Sequence, residues 1–234
     1  MIPYEAIYSI LLISRGRKLS SLPEKFIDYA FRQRREFIEK VLERGLSGNE
    51  FLIAFTRHTP AIISNGRAGL NGSIKGIGFV QKEEFMEETT ERLKSFLEMS
   101  RELSRGEAMN KALKLLLDHV YVEERMDFLK LSSLELAKGH SWANFSENPK
   151  ASILFYTPPS TSYEVRASVE IHEDGIYWEY VNAVHDVFHM AGVKRRRDWS
   201  KTPAYIFLIE EIYDNSVEAM GRMIWRAGGS DEEV

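Results

Sequence analysis

Residues 163–173 constrain the chain most. Val165, Ala167, Val169 and Ile171 alternate without a break with Arg166, Ser168, Glu170 and His172. Side chains on a strand point to opposite faces in turn, so this pattern predicts a strand with one apolar and one polar face. Residues 151–156, Ala-Ser-Ile-Leu-Phe-Tyr, predict a second strand, stopped by Pro158-Pro159. Asp174-Gly175 is a turn signal. Beyond it, Ile176, Tyr180, Val184 and Phe188 share one helical face, which predicts a helix over 177–190 ended by Gly192. Ile176-Tyr177-Trp178 alone would also suit a third hairpin strand. Residues 204–214, after Thr202-Pro203, are rich in β-branched and aromatic side chains. They suit a strand, or an amphipathic helix running to Trp225.

The first half reads as mainly helical. Ser20-Ser21, Pro23 and Glu24 make a helix start, and Phe26, Ala30, Phe37, Ile38 and Val41 keep helical spacing as far as Leu42. Gly45 and Gly48 end that helix. Residues 51–55, Phe-Leu-Ile-Ala-Phe, predict a buried strand, with Ala61-Ile62-Ile63 as its partner. Glycines at 66, 69, 72, 76 and 78 predict a loop or a close-packed, bulged strand. Residues 82–104 predict a charged helix, and a second helix starts near Gly106. The fold class expected is α+β: an antiparallel sheet or small split barrel in the second half, with a mainly helical first half packed around it. The whole chain, 1–234, is expected to be a single domain, with a helical region 1–117 and a β-containing region 118–234.

Composition narrows the chemistry. Apolar residues make up 44% and charged residues 28%, which excludes wholesale disorder. Cysteine is absent, which removes disulfides, thiolate catalysis and zinc–sulfur sites. The net charge of −4 gives no whole-domain electrostatic case for nucleic acid. The apolar stretch 4–13, with Ile7, Ile10 and Leu11, is too short to span a bilayer and lacks the flanks of a signal peptide, so it is expected to be a short buried helix. A cytoplasmic protein is expected, with no membrane partner.

Asn144, then Asn148-Pro149, then 151–155, resembles a phrase of the FMN-binding split-barrel proteins of the pyridoxamine-phosphate-oxidase-like type, in which a helix ends in an N-x-x-x-N-P step and drops into a barrel strand. The strand 163–171 is similar to that family's next long strand. The helix at 177–190 and the segment 204–214 fill the places that follow, and 120–133 fills the preceding strand. The likeness spans roughly residues 118–215. It implies a homodimer with FMN in the subunit groove, and an FMN-binding oxidoreductase or flavin-binding protein. It also implies a phosphate site at Ser132, Ser133, Lys138 and Asn144. Ser132 and Ser133 read alternatively as a helix cap before Leu134-Glu135-Leu136.

Other constellations have their own readings. His185 and His189 lie four apart on the expected helix, on one face. With Glu210 they could bind zinc or iron. The spacing resembles that of gluzincin proteases, but Asp186 stands where the general-base Glu should be, so a metalloprotease is not expected. The plainer reading is a helix whose histidines pair with nearby carboxylates. A non-catalytic oligomeric scaffold is a further alternative. The glycine stretch could border a ligand groove, with Arg57 or Arg67 reaching a ligand anion and Ser73 and Lys75 as further donors. Residues 194–197, Lys-Arg-Arg-Arg, beside Trp199, could meet a phosphate backbone, but four charges in an acidic protein usually make a solvated loop. The tryptophans at 142, 178, 199 and 225 could stack on a flat cofactor, and more often form core or interface. His58, beside an expected strand end, reads as solvent-exposed.

Overall fold

The computed structural model describes residues 21–45, 47–195 and 197–229. The expected helix at 4–13, Ser20 and the acidic tail lie outside them. In chain order the elements are α1 (Glu24–Ile27), a π-turn (Asp28–Arg32), α2 (Gln33–Arg44), α3 (Gly48–Thr56), β1 (Ala61–Ser64), β2 (Asn71–Ile74), β3 (Gly78–Gln81), α4 (Glu83–Met99), α5 (Arg105–His119), β4 (Met126–Leu134), α6 (His140–Phe145), β5 (Lys150–Thr157), β6 (Thr161–His172), α7 (Gly175–Met190), β7 (Ala204–Asp214) and β8 (Arg222–Arg226).

The fold is α+β, built on one eight-stranded antiparallel sheet in the order β2-β1-β5-β6-β7-β4-β3, with β8 beside the second half of β7. Strands β2 and β3 stand at opposite ends of that order, yet only Lys75, Gly76 and Ile77 separate them in the chain. Such a link spans about 14 Å at most. The sheet must therefore curl until its two ends meet, and no ladder joins β2 to β3 among the described residues. That is a split barrel. Three of its strands come from residues 61–81, so the sheet is not confined to the second half.

Two apolar layers hold it. Inside, Phe26 of α1 packs edge-on against Phe79 of β3, Phe155 of β5 and Tyr163 of β6, at centroid distances of 6.2, 5.9 and 5.4 Å. Outside, Ala204 and Ile206 of β7 join Met86 of α4 and Tyr177, Tyr180 and Val181 of α7. On β7 the alternate residues Tyr205, Phe207 and Ile209 face the inner layer. This segment is thus a strand, not a helix, and it is buried on both faces.

Residues 51–55 are helical rather than a strand. Ser47 and Glu50 form a capping box: Ser47 Oγ accepts from the Glu50 N–H at 3.3 Å, and the Ser47 N–H donates to Glu50 Oε2 at 3.0 Å. That cap satisfies end groups of α3 and fixes its start. β1 pairs instead with β2 and β5. Phe51, Leu52, Ile53 and Phe55 are consequently exposed. No helix among the described residues is long and apolar enough to cross a membrane.

Candidate functional site

A cavity of about 550 Å³ opens where β3 and β4 meet α7, α2 and the link between β2 and β3. Phe31, Phe55, Phe79, Tyr121, Tyr180 and Phe188 supply its aromatic walls. Its polar groups form two sets.

The first set lies along β4 and the β2–β3 link: Ser132, Ser133, Glu135 and Lys75. Since β4 runs through Leu134, both serines are strand residues, not helix caps. The Ser132 hydroxyl donates to the Gly78 carbonyl at 3.2 Å. The buried Glu135 carboxylate is fully engaged. It accepts from Lys75 Nζ at 2.9 Å, from the Tyr205 hydroxyl at 2.9 Å, and from the N–H groups of Ala137 and Lys138 at 2.9 and 2.8 Å. Burial alone would raise its pKa. Lys75, the Ala137 N–H and the Tyr205 hydroxyl outweigh that and hold it below the usual carboxylate range.

The second set comprises Arg34, His58, His185 and His189. Arg34 is 7% exposed. Its Nε donates to the Tyr121 hydroxyl at 2.7 Å, and its guanidinium carbon stands 5.2 Å from the centre of the Phe188 ring. No carboxylate pairs with it among the described residues. His58 Nδ1 lies 2.8 Å from the Ile77 carbonyl, which can only accept, so that nitrogen carries the proton and Nε2 keeps its lone pair. Gly76 permits this placement, since a Cβ there would come within 3.2 Å of His58 Nε2. Burial, and then Arg34, push the His58 pKa down to about 3, so the ring is neutral at neutral pH. Thus His58 is a wall of the cavity rather than a solvated side chain.

His185 and His189 share a face of α7, with rings 4.7 Å apart. His185 Nδ1 donates to Asp186 Oδ1 at 3.0 Å. Asp186 is itself held by Arg197 Nε at 3.0 Å and by the Trp199 indole N–H at 2.7 Å. Burial, then His185 and Arg34, push the His189 pKa down. The zinc or iron reading finds no support among the described residues. Glu210, its expected third ligand, sits instead with Lys150 and Ser168, and Lys150 Nζ lies 2.5 Å from its carboxylate. Among the described residues no three metal-ligating side chains converge.

Of the four residues that the resemblance implied for phosphate, Ser132 and Ser133 line the cavity and the other two do not. Lys138 Nζ pairs with Glu173 at 2.9 Å and lies over the Trp142 ring. Asn144 is wholly buried and ties down the glycine segment. Its Oδ1 accepts from the Ala68 N–H at 2.9 Å, and its Nδ2 donates to the Gly69 carbonyl at 2.8 Å and to Ser64 Oγ at 3.2 Å. Neither Arg57 nor Arg67 lines the cavity. Arg197 of the basic run turns inward rather than to solvent. Arg34, Tyr121 and Glu135 carry no motif. Arg34 stands among charged helix residues, and only the tertiary fold distinguishes it.

No family model matches this chain, and no curated protein matches it. Among solved structures, the chain is similar to HupZ of Group A Streptococcus, at 13% identity and a TM-score of 0.43, covering 79% of this chain and 100% of that one. It is similar to a pyridoxamine 5'-phosphate oxidase-related, FMN binding protein from Nostoc punctiforme, at 9% identity and a TM-score of 0.43, covering 85% and 88%. A protein of the pyridoxinephosphate oxidase family from Clostridium acetobutylicum, related to general stress protein 26, matches at 11% identity and a TM-score of 0.41, covering 82% and 95%. At these identities and scores the likeness says nothing of the site, whose chemistry follows from its own residues.

Proposed function

We propose that the chain binds a flavin-type cofactor in the cavity between β3, β4 and α7, and works as a homodimeric, cytoplasmic FMN-binding oxidoreductase folded as a single domain over 1–234. The observation that carries this reading is the cavity itself. A space of about 550 Å³ with aromatic walls and a few placed polar groups is what a flat heteroaromatic ligand needs. The phrase over residues 118–215 supports the same ligand class, and Ser132 and Ser133 are the residues of that phrase that line the cavity.

The donors for a phosphate fit only in part. Lys75, the Lys138 N–H and the Ala137 N–H already serve Glu135, and the Lys138 ammonium serves Glu173. Among the described residues that line the cavity, the arginine or lysine without an acidic partner is Arg34. A bound flavin would supply the hydride and electron chemistry. The chain's own groups would orient the ring, exclude water, and offer His58 Nε2 as an acceptor. The exposed apolar face of α3, with Phe55 at the cavity mouth, supports a homodimer, because contiguous exposed aromatics mark association surfaces. Strands from both halves in one sheet support a single domain. The absence of cysteine suits a reducing compartment.

The test is a visible spectrum of the purified protein before and after FMN addition, with stoichiometry measured after desalting. One retained flavin per chain is expected. A colourless protein that retains none contradicts the reading.

A further inference from the structure

We propose that Arg34 is the receptor for an oxyanion, carboxylate or phosphate, carried by the molecule that fills the cavity. The inference rests on reading that cavity as a small-molecule site.

Arg34 is more than nine-tenths buried, borders the cavity and has no acidic partner among the described residues. Taking a guanidinium out of water costs more than one hydrogen bond to a tyrosine hydroxyl returns. The cation–π contact with Phe188 offsets only part of that cost. The other polar side chains at this end among the described residues, His58, Thr59, Tyr121, Tyr180, His185 and His189, include no carboxylate. Among the described residues the one carboxylate that borders the cavity, Glu135, is already taken by Lys75, Tyr205 and two backbone N–H groups. Among the described residues that line the cavity, the positive charge left uncompensated is therefore at Arg34, not beside β4. With Nε held by Tyr121, the two terminal nitrogens have no partner among the described residues, and a planar guanidinium presents such donors as a fork that suits carboxylate or phosphate.

Two sources could supply the oxyanion: the phosphate of the bound flavin, or the acid group of a second molecule beside it. Wild type, Arg34→Met and Arg34→Lys are compared with inorganic phosphate and benzoate as probes, by thermal melting and calorimetric titration. Either probe should raise the wild-type melting temperature. Arg34→Met should melt no lower than wild type and bind that probe at least tenfold more weakly, and Arg34→Lys should recover part of the loss. The proposal is overturned if neither probe moves the wild type, or if Arg34→Met responds as wild type does. It is also overturned if Arg34→Met melts well below wild type and Arg34→Lys does too, since Arg34 would then be a tie to Tyr121.

Riboflavin and FMN separate the sources. A preference for FMN that Arg34→Met abolishes assigns the oxyanion to the flavin phosphate. A preference that is unchanged, with benzoate binding lost, assigns it to a second molecule. If neither flavin binds and benzoate still depends on Arg34, the flavin reading falls and the receptor stands.

Discussion

Lys75 and Glu135 form a buried ion pair across the seam of the barrel, 2.9 Å apart, with side chains 14% and 3% exposed. Lys75 comes from the link between β2 and β3, and Glu135 from the end of β4, so the pair spans the place where the sheet's two ends approach. The Tyr205 hydroxyl and two backbone N–H groups complete the set around the carboxylate. Every hydrogen bond a carboxylate there can use is made, which is the condition under which a buried charge is tolerated.

Glu135→Ala should therefore destabilise the fold by about 3–5 kcal/mol, because it strands a buried ammonium and a buried hydroxyl. The Lys75→Met/Glu135→Leu pair should recover most of that. Urea unfolding of the three proteins checks it. A single variant as stable as wild type would mean the pair is exposed to water.

Acid should unfold the protein in two stages. The His58 pKa is lowered to about 3, and the His189 pKa is lowered too, so the folded protein refuses protons that the unfolded chain takes up. Stability is greatest above the ordinary histidine range and falls as pH drops below about 6.5, by up to about 1.4 kcal/mol per pH unit for each such group. Glu135 and Asp186 are both held below the ordinary carboxylate range, their hydrogen-bond partners outweighing burial. Their contribution is present above about pH 4 and is lost as pH falls through their folded values. His58→Gln should make the first stage shallower, leaving the share of His189, and should leave the second unchanged. Stability that is unchanged between pH 7 and 5 would contradict this.

Asn144→Ala should cost about 1–3 kcal/mol by leaving the Ala68 N–H and the Gly69 carbonyl without partners. Gly66→Ala should also destabilise, since its Cβ would come within 3.0 Å of the Asn144 Cα. Thermal melting reads both. Indifference to either change would mean that Asn144 does not anchor this segment.

How far these features can be read from the residues depends on the element. β6 was legible because its outer face is polar and its alternation therefore complete. β7 was ambiguous for the opposite reason: with Ala204 and Ile206 facing α7 and Tyr205 and Phe207 facing the barrel, both faces are apolar and the period of two disappears. Residues 51–55 misled because an apolar run normally means burial, whereas here a capping box makes a helix that shows its aromatics to solvent. The capping box was present in the sequence as Ser47-Gly-Asn-Glu50, and would have corrected the reading. Of the residues that line the cavity, Ser132 and Ser133 stand out in the sequence through the phrase that resembles the split-barrel proteins. Arg34 and Glu135 do not, since a charged residue on a helix or at a strand end carries no local mark of burial.

Replacing the basic run Lys194-Arg195-Arg196-Arg197 by serines should lower stability by about 3–5 kcal/mol, because Asp186 loses its buried cation Arg197. Restoring Arg197 alone should recover the loss. Calorimetric melting decides between this and a solvated loop, for which the serine variant would melt as wild type does.

The cavity's role is tested most directly by titrating the protein with FMN beside a Gly78→Trp variant. Gly78 lines the cavity, and a Cβ built on it meets nothing within 4 Å, so the added ring takes up cavity space without breaking the sheet. The account predicts saturable quenching of flavin fluorescence at one flavin per wild-type chain, and at least tenfold weaker binding by a Gly78→Trp protein that melts like wild type. No quenching by wild type, or equal binding by both proteins, would contradict it.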